Sequence, residues 1–475
     1  ALERTGRASL DWRTSMPLID PSDPRPVHFM GAAGAGMSAL AELLVRRGAR
    51  VTGCDANPAG APDLAHLGVP VAQGHDPAHI AGIRALVVTS AVPQSHPEVQ
   101  AARAHSIPVI RRAEALAQAV SSEHGALIAI AGTHGKTTTS VMTTEALAAA
   151  GLEPTGVIGG RVPSWGGNLR FGKDHVFVVE ADEYDRSFLA LAPTVAVVTN
   201  LEADHLDIYA DLADIEGAFA QFVRGARTIV LCADDPGADG LHVPAAADVV
   251  RYGITSPNAT LAARGLSLGA DGSAFTVARA GRALGDVRLR VPGRHNVLNA
   301  LAAIAAGLAV GATVPEMAPG LFSFGGVERR FQRLGEARGV TVVDDYAHHP
   351  TEIRATLAAA RNAFPGRRLV AAFQPHLYTR TRDFATDFGA ALALADAIFL
   401  TDIYPAREQP IPGVSATLIA DAARAAGGAL TWRGTRADLA AALAQNVGSG
   451  DVVLTLGAGD ITRTGRELLE KLAVA

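Results

Sequence analysis

The sequence predicts an α/β protein of three domains, each built on a mostly parallel sheet. Short, branched apolar runs alternate with alanine-rich segments at helical spacing, as strands do when crossover helices cover both faces of their sheet. At 475 residues the chain is too long for one core. Several runs end in glycine-rich or acidic stretches, and the carboxyl ends of parallel strands are where open α/β sheets bind ligands.

Composition narrows the function classes. Hydrophobic residues make up 48% and charged residues 19%, which suits folded domains and argues against a disordered chain. A net charge of −5 offers no electrostatic basis for binding nucleic acid. No uninterrupted apolar run is long enough to span a membrane, and the N-terminal residues lack the charged-then-apolar pattern of a secretion signal. Cys54 and Cys232 lie far apart and argue against a disulfide framework or a cysteine-built zinc site. The expectation is a cytoplasmic protein without a nucleic-acid or membrane partner.

Residues 1–26 are polar and aperiodic and read as an N-terminal extension. The first domain, 27–121, has a strand at 27–30, a glycine turn at 31–36, a helix over 37–47, and a second strand at 50–54 that ends at Asp55. Runs at 85–89 and 108–110 extend its sheet, and 121–125 reads as a linker. The second domain, 122–327, opens with a run at 127–131, a glycine-bearing loop, and a helix over 136–150 that stops at Gly151. Runs at 176–179, 195–199 and 228–232 follow. Between 259 and 292 the period changes to strict alternation with glycine turns, which predicts an antiparallel hairpin annex, and a helix covers 297–310. After a second linker at 325–330 the strand–helix alternation restarts, with runs at 340–343, 369–373, 397–400 and 452–456, giving a third domain over 328–475.

The chemistry concentrates in the loop Gly132-Thr133-His134-Gly135-Lys136-Thr137-Thr138 between the strand at 127–131 and the next helix. Backbone N–H groups at Gly132 and Gly135 can wrap an anion at the positive end of the helix dipole. Lys136 is placed as a point charge on nucleotide phosphates and the Thr137 hydroxyl as a Mg²⁺ ligand. The loop is shorter than a full GxxxxGK[ST] pattern. Only Lys136, Lys173 and Lys471 are lysines among 42 basic residues, so a lysine kept at this junction carries weight. Glu180 emerges from the next strand at the same sheet edge as a Mg²⁺ candidate, and His205 as a ligand for a second ion. Gly31, Gly34 and Gly36 can hold a diphosphate, with Asp55 where a dinucleotide enzyme would grip ribose, so a nicotinamide enzyme competes for this stretch. Asn296 also reads as a helix N-cap.

The set HFMGAAGAGMS (from His28), GTHGKTTT (Gly132), EADEYDRSFL (Glu180), TNLEADHLD (Thr199), PGRHNVLNALAA (Pro292), ERRFQ (Glu328), VDDYAHHPTE (Val343), FQPHLYTRT (Phe373), YPAREQPIPGVS (Tyr404) and LGAGDI (Leu456) resembles the Mur ligase family, in its alanine-adding type. The resemblance implies Rossmann-like outer domains around a P-loop-type central ATPase domain. It further implies an ATP- and Mg²⁺-dependent ligase that joins L-alanine to the carboxylate of UDP-N-acetylmuramate in peptidoglycan precursor synthesis, as a monomer or homodimer. The UDP part would meet Gly31, Gly34 and Gly36, with Asp55 and Ser90 nearby. His295, Asn296, Asn299, Arg330 and Asp345 would join the glycine loop in holding ATP. His348, His349, His376 and Arg380 would hold the amino acid. Ala33 stands where the family usually has glycine, and 206–223 holds no lysine, unlike the family members that carry a carbamylated lysine there. A muropeptide-recycling ligase, which attaches a whole peptide, is the nearest alternative.

Overall fold

The computed structural model describes residues 17–474 except 21, 122–124 and 271, so most of the expected extension and the middle of the first linker lie outside the described residues. The first sheet comprises β1 (Val27–Met30), β2 (Val51–Asp55), β3 (Val71–Gln73), β4 (Ala85–Val88) and β5 (Val109–Arg111), all parallel, in the order β3-β2-β1-β4-β5. Its strand β3 is short and only partly buried, and carried no apolar signal. Of residues 17–26, read from the sequence as part of a polar, aperiodic extension, Leu18 is buried in the core and its carbonyl accepts a hydrogen bond from the buried Arg84 guanidinium.

The second sheet has ten strands: β6 (Ala126–Ala131), β7 (Thr155–Val162), β8 (Gly167–Arg170), β9 (Val176–Glu180), β10 (Val195–Val198), β11 (Thr228–Cys232), β12 (Asp248–Gly253), β13 (Leu261–Gly269), β14 (Gly272–Arg279) and β15 (Arg282–Leu289). Their order is β15-β14-β13-β12-β11-β10-β6-β9-β7-β8. The predicted annex is a three-stranded antiparallel meander, and it is not separate, because β13 pairs in parallel with β12 and extends the central sheet. The third sheet holds β16 (Gln332–Ala337), β17 (Val340–Asp345), β18 (Leu369–Phe373), β19 (Ala397–Thr401), β20 (Leu430–Gly434) and β21 (Val452–Leu456), in the order β16-β17-β21-β18-β19-β20, with only β16 antiparallel.

Strand order places the chemistry. β6 lies between β9 and β10, so the glycine loop, Glu180 and the stretch after Val198 leave three adjacent strand ends. In the third sheet β21 lies between β17 and β18, so the stretches after Asp345 and Phe373 leave the same edge. The inner face of the first sheet shares one core with the central sheet, while its outer face has a small core around Met30, Leu86 and Val99. The two faces of the third sheet are filled by separate clusters. No helix among the described residues is long and apolar enough to cross a membrane.

Candidate active site

The helix Lys136–Ala149 begins at the glycine loop because Gly135, at φ +81°, turns the chain into it. A Cβ there would stand 2.7 Å from Asn299 Oδ1, so the position admits glycine alone. The strand end of β10 cinches the loop: His134 N–H donates to Asn200 Oδ1 (2.7 Å), and the Thr199 hydroxyl donates to His134 O (2.6 Å). Lys136 Nζ folds back to donate to Gly132 O (2.6 Å) and to Glu183 Oε1 (2.8 Å). Burial of the Glu183 carboxyl pushes it up to about 7 against the pull of Lys136.

Glu180 is aimed by two donors, the Thr137 hydroxyl at 2.8 Å and Gly159 N–H at 2.7 Å. A hydroxyl and a carboxylate meeting at a phosphate loop are hard oxygen donors suited to Mg²⁺. His205, in a left-handed backbone conformation (φ +52°), stands 3.7 Å from Glu183 through Nε2. Its Nδ1 is buried with no hydrogen-bond partner among the described residues, and burial holds the imidazole below its ordinary value. A neutral ring with an unused nitrogen fits the expected ligand role.

Two cavities meet at the loop. One, of about 690 Å³, is lined by Gly135, Thr138, His295, Asn296, Asn299 and Asp345. Asn299 accepts from the Thr139 hydroxyl at 3.2 Å. Gly293 caps the helix Arg294–Ala309, and Asn296 lies inside it, donating to Pro292 O at 2.7 Å, so it is not the cap. Burial lowers His295 to about 4 and raises the Asp345 carboxyl to about 6, although Arg330 and two backbone N–H groups, of Phe331 and Ala347, oppose the latter.

The second cavity, of about 590 Å³, brings Lys136, Thr137, Glu180 and His205 together with His348, His376 and Arg380 of the third sheet. It reaches Gly36 and Arg112 of the first domain. His134 and Arg330 line both cavities, and Arg330 lies over the Tyr346 ring, 3.5 Å from Glu352. The Arg380 guanidinium donates to Asp204 at 2.5 Å, a pair almost fully buried between the central and third domains, and that contact holds Asp204 far below the carboxylate range against its burial. His376 stacks on Tyr404, 5.8 Å between centroids. His349 faces neither cavity: it caps the helix Pro350–Ala363, and its ring packs at a tilt against that of His134, 4.7 Å between centroids.

Gly31, Asp55 and Ser90 lie at the ends of three adjacent strands of the first sheet but outside the second cavity. Asp55 is engaged by the turn itself, accepting from Ala33 N–H (2.9 Å) and Asn57 N–H (2.8 Å). Four acids that the sequence did not single out organise the site. Glu183 holds Lys136 and Asp204 holds Arg380; Glu202 accepts from the Thr351 hydroxyl at 2.7 Å, and Glu352 accepts from His348 N–H at 2.9 Å. All but Glu352 sit within three residues of His205 or Glu180, so adjacency was the available signal.

Three family models match in succession: Mur ligase family, catalytic domain, over 26–124; Mur ligase middle domain, over 130–307; and Mur ligase, glutamate ligase domain, over 329–459. The UDP-N-acetylmuramate--L-alanine ligase of Acidothermus cellulolyticus is 46% identical over 458 residues, covering 94% of this chain and 96% of that protein. Its namesake from Kineococcus radiotolerans is 48% identical with the same coverage. Among solved structures, the UDP-N-acetylmuramate-alanine ligase of Thermotoga maritima superposes with a TM-score of 0.80 at 30% identity, covering 94% of this chain and 98% of that one. A murein peptide ligase from Psychrobacter arcticus superposes with a TM-score of 0.69 at 26% identity, covering 95% and 99%. With three family models matched in succession along the chain and a relative 46% identical over 94% of it, the chain belongs to the Mur ligase family.

Proposed function

We propose that this chain is an ATP-dependent ligase that joins L-alanine to the carboxylate of UDP-N-acetylmuramate, in peptidoglycan precursor synthesis. The observation that carries the reading is the convergence of Lys136, Glu180 and His205 with His376 and Arg380 on one cavity that reaches the first domain at Arg112. A carboxylate is a poor acylating agent because oxide leaves badly, so the reaction passes through an acyl phosphate made from ATP. The nucleotide lies in the cavity of Asn296, Asn299 and Asp345, with its phosphates on the loop shared by both cavities. Lys136 exchanges Glu183 for phosphate oxygens, and Arg330 spreads the charge of the transferring group from the other side. Mg²⁺ held by Thr137 and Glu180, with a second ion at His205, would neutralise phosphate charge. The UDP-sugar enters from the first domain, past Gly36 and the glycine turn. Arg380, oriented by Asp204, faces the carboxylate of alanine, whose free amine attacks the acyl carbon and expels phosphate.

The test is phosphate release with ATP, Mg²⁺ and UDP-N-acetylmuramate, with and without L-alanine. Release that needs both the UDP-sugar and free alanine is expected. Release with a tripeptide but not with alanine would reassign the chain to muropeptide recycling.

A further inference from the structure

The outer face of the first sheet, on the side away from both cavities, carries a cluster of donors that the ligase reaction does not use. β1 brings His28, β2 brings Cys54, the turn Pro77–Ile80 brings His79, and the first turn of the helix Pro97–Ala104 brings Glu98. One donor atom of each lies within 4.8 Å of all the others. Cys54 and Glu98 are fully buried and His28 is 3% exposed. His79 Nδ1 stands 2.8 Å and Cys54 Sγ 3.5 Å from Glu98 Oε1. The His28 ring is fixed by the Thr52 hydroxyl, 2.8 Å from Nδ1, while its buried Nε2 has no hydrogen-bond partner among the described residues. A histidine present only for packing is not expected to leave a nitrogen orphaned in such a cluster.

We propose that His28, Cys54, His79 and Glu98 form a closed structural site for a divalent transition-metal ion, with zinc the best fit. Two imidazoles, one thiolate and one carboxylate are a zinc donor set, and sulfur among them disfavours Mg²⁺ and Ca²⁺. At zinc bond lengths, tetrahedral donors stand roughly 3.3–3.8 Å apart, so the present separations need only small adjustments. Thiolate and carboxylate together cancel the two positive charges of the ion, so the buried assembly is neutral. The Cys54 thiol gives up its proton to solvent as the Zn–S bond forms. The Thr52 contact on His28 is the outer-shell support that such ligands have. The ion would staple two adjacent strands to the turn and the helix that cover them.

The full-length chain, stripped of metal, is titrated with Co²⁺ and read by absorption. A thiolate-to-cobalt charge-transfer band that saturates at one equivalent and is displaced by Zn²⁺ is expected, as is a rise of several degrees in melting temperature with Zn²⁺. Cys54→Ser should remove the band. His79→Gln, at a partly exposed position, should weaken Co²⁺ binding at least ~10-fold while leaving the fold intact by circular dichroism. Glu202→Ala, which alters the separate group of His134, Glu202 and His349, should leave the band in place. No band in the unmodified chain, or a band that survives Cys54→Ser and so belongs to Cys232 or elsewhere, overturns the proposal.

Discussion

Lys136 sits folded over its own loop with Glu183 as its counter-ion, so its charge is neutralised before any phosphate arrives. Lys136→Ala should lower turnover by ~10³-fold, read as phosphate release at saturating substrates. Retained turnover within a few fold would mean that the loop does not serve phosphoryl transfer. Asp204→Asn acts differently, because it leaves the Arg380 guanidinium buried without its counter-charge. Removing one partner of such a pair costs about 3–5 kcal/mol. A lowered melting temperature together with a raised KM for alanine, at unchanged KM for ATP, is the expected result. Lys136, Thr137 and Glu180 were legible in the sequence because each sits where a buried strand ends. Glu202 and Asp204 were not legible as partners, since Thr351 lies 149 residues and Arg380 lies 176 residues further along the chain.

The helix Lys136–Ala149 is the element on which the loop depends, and the helix Val314–Ser323 packs against it at a glycine. A Cβ at Gly320 would lie 2.2 Å from Glu145 O, which is backbone and cannot rotate away. Gly320→Ala should therefore cost about 2–3 kcal/mol, seen as a lower denaturation midpoint with unchanged slope. Elements were legible in proportion to their burial. β6, β10, β18 and β21 are buried along all or nearly all of their length and appeared as continuous apolar runs. β3, β16 and β20 lack a fully buried residue, so no apolar run marked them. The meander of β13 to β15 showed its alternation, but its edge-on pairing to β12 is a tertiary fact that a period cannot carry. The outer cluster leaves no mark in cysteine spacing for a related reason: it takes one cysteine, with donors spread from His28 to Glu98.

At the scale of the whole molecule, the third domain is tied to the central one by charged contacts centred on His134. Its Nδ1 is 3.3 Å from Glu352 and its Nε2 is 3.7 Å from Glu202. Burial opposes the imidazolium, but the two carboxylates outweigh it and raise His134 from 6.5 to about 9. A folded-state value above the unfolded one means that the contribution is complete below pH 6.5 and is lost as the pH rises through about 9. Stability should therefore fall by about 3 kcal/mol across that window, from this group alone. Glu352→Gln should flatten that part of the melting-temperature profile, and an unchanged slope would show that the clamp carries no charge. The three-sheet plan was readable from the alternation of runs and helices. Which surfaces of the sheets face one another was not, because Glu202–Thr351, Asp204–Arg380 and Arg161–Asp63 each join separate domains.

The scarcity of lysine has a practical meaning for surface chemistry. Lys173 and Lys471 are exposed, whereas the Lys136 amine is enclosed by Gly132, Thr133 and Glu183. Amine-directed reagents will therefore decorate two remote lysine side chains and spare the third. Modification at Lys136 becomes a direct count of how often the loop releases its side chain, and protection by nucleotide a footprint of the phosphate position. In a chain so poor in lysine, that footprint is read from a single peptide.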